Sequence, residues 1–90
     1  MATDLAPLGI RVNVIGPGPV ESPHADRTPS PYARKRWTDA TPLERYAGPY
    51  KIAGAAIFLC STDASFVTGQ VLAIDGSFLA SGLTARPDVR

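Results

Sequence analysis

The chain has 90 residues, enough for one small domain that buries roughly 60–65% of the surface exposed on unfolding. A composition of 44% hydrophobic and 19% charged residues is typical of a globular protein and excludes a disordered one. The net charge of +1 does not favour binding to nucleic acid. The longest apolar run, residues 52–60, is too short to favour a membrane-spanning helix. The single cysteine, Cys60, allows no internal disulfide and favours a reducing, cytoplasmic location.

The first elements in chain order are the end of a helix and a strand. Residues 2–8 have the pattern of a last helical turn that Pro7 and Gly9 stop, so we expect the front of this helix to be missing. Residues 10–15 alternate apolar and polar side chains and are rich in β-branched residues, which predicts a strand. The Gly-Pro-Gly-Pro run at residues 16–19 is expected to end that strand.

A proline-rich stretch, residues 16–49, is predicted to be mostly loop. Ser30 followed by Pro31 predicts the start of a short helix that ends near Thr38. A second helix is predicted over about residues 49–61, and its apolar residues follow a helical stripe. Because this helix carries no charge from residue 52 to residue 60, we expect it to be covered on more than one side.

A second strand is predicted at residues 70–74, apolar on both faces as in a buried parallel strand, and Asp75-Gly76 is expected to end it. The order strand, helix, strand predicts one right-handed βαβ crossover with an enlarged first connection. Two strands and the one clearly predicted helix, residues 49–61, cannot cover each other's apolar faces. The chain is therefore expected to be part of something larger.

Three stretches resemble the short-chain dehydrogenase/reductase family, in its order and spacing, over roughly residues 5–80. They are the run LAPLGIRVN at residues 5–13, the run PGPVES at residues 17–22, and the helix and strand between residues 52 and 76. The chain is most similar to the 3-oxoacyl-carrier-protein-reductase-like members. The resemblance implies an α/β fold in which this chain is the C-terminal βαβ piece of a doubly wound parallel sheet of the Rossmann type.

The run at residues 17–22 resembles the family's Pro-Gly-x-Val-x-Thr loop, which lies over the nicotinamide. The resemblance implies that Pro17, Gly18, Val20 and Ser22 bind the cofactor, NAD or NADP. The Val20 backbone and the Ser22 hydroxyl would hold the carboxamide. Serine replaces the family's more usual threonine there and keeps the hydroxyl.

The resemblance also divides the chain into functional parts. Residues 5–22 hold the strand and nicotinamide loop, and residues 23–46 are the substrate lid. Residues 49–62 are the last helix and residues 70–76 the last strand, which together form the main subunit interface. Residues 81–90 are expected to be a loose tail.

Two parts that the family's chemistry requires do not occur in the sequence. No tyrosine is followed four places on by lysine, and no Gly-rich turn opens a helix after a strand. We therefore assign no catalytic residue and no metal site, and we expect the chain to be inactive and not to bind cofactor by itself. Its expected partners are further copies of itself or a missing N-terminal part of the reductase. The alternative is a non-catalytic self-association or interaction module derived from the fold.

Several other residues have a functional and a structural interpretation. His24 would be a general base or a solvated loop residue, and Cys60 a nucleophile or a packed helix residue, the second being favoured for each. The basic run at residues 34–36 would bind a phosphate or an acidic carrier protein, or it would form the solvent-exposed face of its helix. Tyr32 and Trp37 would line a substrate pocket or pack locally.

Overall fold

The computed structural model describes residues 1–22 and 29–81. The helices are α1 (Ala2–Leu5), α2 (Pro31–Ala40), α3 (Pro49–Cys60) and α4 (Phe78–Ser81), and the strands are β1 (Val14–Pro17) and β2 (Val71–Ile74). Short 3₁₀ turns follow α1 at Ala6–Leu8 and α3 at Thr62–Ala64. No helix within these ranges is long and apolar enough to cross a bilayer.

The two strands pair in parallel, with Val14 opposite Val71 and Pro17 opposite Ile74. Since the intervening chain contains α2 and α3, and α3 packs against both strands, the unit is a βαβ crossover. The α/β fold class and the parallel pairing predicted from the sequence are confirmed.

The first strand begins four residues later and ends two residues later than predicted, at residues 14–17 instead of 10–15. The Val14 N–H donates to the Gln70 carbonyl (2.9 Å) and the Gly18 N–H to the Ile74 carbonyl (3.0 Å). Because backbone groups alternate sides along a strand, the nitrogen of Pro17 faces away from β2. Proline therefore costs no hydrogen bond at this position. The strand ends at Pro17, within the run at residues 16–19 that was predicted to end it.

Residues 11–13, which were expected in the strand, instead tie β1 to the segment before β2. The Arg11 guanidinium donates to the carbonyls of Leu59 (2.8 Å) and Val67 (3.3 Å). The Asn13 amide donates to the Val67 carbonyl and accepts from the Gln70 N–H, each at 3.0 Å. The Arg11 cation at the Leu59 carbonyl, in the last turn of α3, also interacts favourably with the negative end of the helix dipole.

Local signals at helix ends behave as the sequence predicts. Gly9 stops the first helical segment in the left-handed conformation at φ 76°. The Ser30 hydroxyl accepts from the Ala33 N–H (3.1 Å), and Pro31 opens α2. That helix runs two residues past the predicted end, to Ala40. Helix α3 begins at Pro49 as predicted and ends at Cys60.

The core of the described chain is small. Its buried apolar residues are Leu59 and Ala64, and its buried polar residue is Thr41. Cys60 is exposed, which corrects the expectation that it packs in a core, because no described element covers that side of α3. Strand β2 is likewise open on one face: Leu72 is half-buried, whereas Val71 is 69% exposed. The predicted cover on both faces is thus absent from residues 1–22 and 29–81.

Candidate functional site

The loop that follows β1 lies beside the turn that follows β2. Pro17 is the last residue of β1, and Gly18 still bonds to Ile74, the last residue of β2. In open parallel α/β sheets, ligands bind outside the carboxyl ends of the strands. Residues 17–22 therefore lie at the edge of the sheet where a ligand is expected.

Glycine is required at position 18 by the close approach of the two strand ends. A Cβ on Gly18 would lie 2.7 Å from the Asp75 Cα and 2.9 Å from the Asp75 Cβ, whereas a Cβ on Gly16 would meet nothing within 4 Å. The contact at position 18 is with backbone, which cannot rotate away. Gly18 therefore sets how closely the loop passes the end of β2.

Val20 forms an isolated parallel bridge with Ala47. The Ala47 N–H donates to the Pro19 carbonyl (3.0 Å) and the Glu21 N–H donates to the Ala47 carbonyl (2.9 Å). In such a bridge the N–H and C=O of the central residue face the opposite side. Val20 thus presents one donor and one acceptor away from Ala47, which matches the acceptor and donor of a carboxamide.

Ser22, the fourth predicted cofactor residue, is an exposed residue two positions beyond Val20, and it has an interaction of its own. Its predicted role at the carboxamide stays a prediction. The following residues, 23–28, lie outside the described part of the chain, and so do His24 and the residues 82–90 of the predicted tail.

An ion pair joins the predicted nicotinamide loop to the predicted lid. Arg34 of α2 donates to the Glu21 carboxylate from both terminal guanidinium nitrogens, and Nη1 lies 3.1 Å from Oε2. The guanidinium also lies 4.2 Å from the centroid of the Tyr46 ring. The hydrogen bond from Arg34 lowers the pKa of Glu21, and the same bond raises the pKa of Arg34. Both side chains remain about half exposed.

The sequence did not predict this contact, because its partners are 13 residues apart and no local pattern links them. The other basic side chains of α2 also have partners within the chain. Lys35 pairs with Asp39 one turn on (2.8 Å), and Arg36 donates to the Tyr32 hydroxyl (3.1 Å). The run at residues 34–36 therefore does not converge on one anion site.

The C-terminal end of the lid is held on the turn after β2. The buried Thr41 hydroxyl donates to the Trp37 carbonyl (2.8 Å), and the Leu43 N–H donates to the Gly76 carbonyl (3.1 Å). A Cβ on Gly76 would lie 2.7 Å from the Thr41 Cγ2. This close packing fixes residues 41–43, at the C-terminal end of the predicted lid, relative to the end of β2.

Asp75 acts as the cap of α4. Its Oδ1 accepts from the Ser77 N–H (3.0 Å) and its Oδ2 accepts from the Leu79 N–H (3.1 Å). The prediction that Asp75-Gly76 ends the strand is confirmed, since β2 stops at Ile74 and Gly76 has φ 60°.

The two aromatic residues with a pocket or a packing interpretation lie on the same groove, and their role at a substrate stays a prediction. Trp37 stacks at an angle on Phe78, with ring centroids 5.5 Å apart. Tyr32 and Trp37, with Phe78, line an open groove of about 380 Å³ along α2.

The family model described as enoyl-(acyl carrier protein) reductase matches residues 1–78. The 3-oxoacyl-[acyl-carrier-protein] reductase of Thermotoga maritima is 40% identical over 78 residues, which are 87% of this chain and 31% of that protein. The chain thus spans about a third of the length of the curated relatives it matches.

Solved structures agree with the sequence matches. A short-chain dehydrogenase from Bacillus anthracis is similar with a TM-score of 0.75 and 37% identity, over 96% of this chain and 32% of that one. An Agrobacterium tumefaciens protein solved with bound NADP gives a TM-score of 0.80 and 38% identity, over 88% of this chain and 32% of that one. The chain therefore belongs to the short-chain dehydrogenase/reductase family of NAD(P)-dependent oxidoreductases.

Proposed function

We propose that this chain supplies the C-terminal part of the active site of an NAD(P)-dependent oxidoreductase. Residues 17–22 would hold the nicotinamide, residues 23–46 would cover the substrate, and α3 with β2 would form the subunit interface. The observation that carries the proposal is the Val20 backbone, whose donor and acceptor face away from Ala47 at the carboxyl end of the parallel sheet.

The residues present fit the nicotinamide end of the cofactor. When bound, the nicotinamide supplies or accepts the hydride. The Val20 N–H would donate to the carboxamide oxygen and its C=O would accept from the carboxamide N–H, which fixes which face of the ring meets the substrate. The Ser22 hydroxyl would add a second contact at the carboxamide. Pro17 and Gly18 would hold this backbone close to Asp75.

The proposal does not include hydride transfer by these 90 residues alone. The sequence contains neither the Tyr-x-x-x-Lys pair that handles the substrate proton nor the Gly-rich turn that binds the pyrophosphate. Further copies of the chain or an N-terminal part of the reductase would be the partners. The outer edge of β1 supports this, because Ile15 has a strand neighbour on one side only among residues 1–22 and 29–81.

A chimera tests the proposal. Residues 1–78 of this chain would replace the matching segment of the Thermotoga maritima reductase, and NADPH binding would be followed by cofactor fluorescence. We expect the chimera to bind NADPH and to catalyse hydride transfer with a ketone substrate. A chimera that folds like its parent and binds no NADPH would count against the proposal.

Two alanine variants of that chimera separate the loop from general stability. Gly18→Ala forces a Cβ against Asp75, so it should weaken NADPH binding by about tenfold or more. Gly16→Ala adds a Cβ in open space and should leave binding within about twofold. Equal effects of both variants would argue against a cofactor role for the loop.

A second candidate is a non-catalytic self-association module. It is favoured by the apolar side chains that α3 and the region of β2 leave open, including Ile57 at 71% exposure and the fully exposed Phe66. A chain that assembles with itself while the chimera fails to bind NADPH would support this candidate. We also propose a cytoplasmic location, which the single cysteine favours.

A further inference from the structure

An apolar cleft lies directly beside the proposed nicotinamide loop. The cleft has a volume of about 290 Å³. Its lining residues come from the end of β1 and the loop after it (residues 16–19), from α2 (Trp37), and from the segment after β2 (Asp75, Phe78 and Leu79). That volume is close to the lower limit of small-molecule sites in proteins. Its position at the carboxyl ends of both strands is where a parallel α/β sheet binds ligands.

The lining of this cleft offers little to a polar ligand. Asp75 is the charged lining residue, and both of its carboxylate oxygens already accept backbone hydrogen bonds, one from Ser77 just before α4 and one from Leu79 within it. The other lining side chains come from proline, tryptophan, phenylalanine and leucine, whose one polar group is the indole N–H. A ligand rich in hydroxyls would lose its water hydrogen bonds there without replacement.

The apolar walls are held in place from two elements. Trp37 on α2 contacts Phe78 on α4 with centroids 5.5 Å apart, and α4 itself is fixed by the Asp75 cap. Leu79 extends the same wall and is 71% exposed. The cleft is thus lined by two aromatic side chains in contact and by an aliphatic one, next to Pro17 and Gly18.

We infer that this cleft takes an apolar ring system, an alicyclic or aromatic ketone or alcohol, and that Trp37 and Leu79 select it against polyhydroxylated substrates. The inference rests on the proposed function, since it assigns the cleft to the substrate of the same site. It concerns binding alone and therefore needs neither cofactor nor turnover to be tested.

The test uses the 90-residue chain and the fluorescence of Trp37, the only tryptophan. The chain is titrated with trans-1-decalone, an alicyclic ketone, and separately with sorbitol. We expect a saturable change of Trp37 emission with decalone and none with sorbitol. Leu79→Glu, with its circular dichroism spectrum unchanged, should weaken decalone binding by about tenfold or more, because it places a charge in the apolar wall.

Leu8→Glu is the matched control, since Leu8 is 72% exposed and does not line the cleft, so decalone binding should stay within about twofold. The absence of saturable decalone binding, equal binding of sorbitol, or equal effects of the two glutamate variants would overturn the inference. If one of these results is obtained and the chimera is active, the inference about the cleft fails while the proposed function is retained. If the chain binds decalone as expected and the chimera is inactive, the proposed function fails while the inference about an apolar cleft is retained.

Discussion

At the residue scale, Ser77 adopts a conformation that suits glycine. Its φ is 77°, directly after Gly76 at φ 60°. A Cβ in the left-handed region is strained against its own backbone. Serine at this position thus has a physical cost, which the hydrogen bond from the Ser77 N–H to Asp75 helps to offset.

We predict that Ser77→Gly stabilises the chain by about 0.5–1 kcal/mol, because relief of the strain outweighs the greater freedom of glycine in the unfolded state. The free energy of unfolding would be measured by urea titration followed by circular dichroism. Ser65→Gly is the matched control, since Ser65 has an ordinary φ of −64° and should lose stability instead. Equal shifts in both variants would contradict the interpretation.

At the element scale, the contact between Glu21 and Arg34 attaches α2 to residues 17–22, the proposed nicotinamide loop. Arg34 lowers the pKa of Glu21. A lowered carboxyl pKa means that the contribution of the pair is present above the ordinary glutamate pKa and is lost as the pH falls through the lowered value. Both groups are about half exposed, so solvent screening keeps this contribution modest.

We predict that α2 loosens from the loop between neutral and strongly acidic pH, and that Glu21→Gln removes this pH dependence. Amide hydrogen exchange across residues 31–40, after correction for the intrinsic effect of pH, would report the attachment. Lys35→Gln is the control, because its partner Asp39 lies on the same helix and the pair does not reach the loop. An unchanged pH dependence in Glu21→Gln would show that the ion pair does not hold the lid.

The elements that the sequence predicts well are those with local signals. Ser30, Pro31 and Gly9 act through hydrogen bonds or φ angles within a few residues, so their roles are readable from the chain alone. The exact bounds of β1 could not be predicted from the sequence, because its pairing with residues 71–74 decides which residues form the strand. The Glu21–Arg34 contact and the capping of α3 by Arg11 depend in the same way on parts distant in sequence.

At the scale of the whole molecule, the described chain leaves much apolar surface open. Buried apolar residues are confined to Leu59 and Ala64, whereas Ile57, Phe58 and Val71 on α3 and β2 are exposed. Large exposed apolar patches are typical of interaction sites. This is why the sequence could predict a need for further cover without predicting what supplies it.

We predict that the chain self-associates with increasing concentration through α3. Sedimentation velocity should show a shift to larger species, and Ile57→Glu should weaken the association by about tenfold or more, since it places a charge in an apolar contact. Leu8→Glu is the control, as a residue of equal exposure outside α3 and β2. Association that both variants weaken equally would point to non-specific contacts.

The central claim is that these 90 residues form one edge of a nicotinamide site that other parts must complete. Its most direct test is a titration of the purified chain with NADH and NADPH, followed by cofactor fluorescence, with size-exclusion chromatography of the same sample. We predict no saturable binding, because the sequence has no Gly-rich turn to bind the pyrophosphate. Micromolar binding by a folded species would contradict the claim and would require a complete cofactor site built by this chain alone.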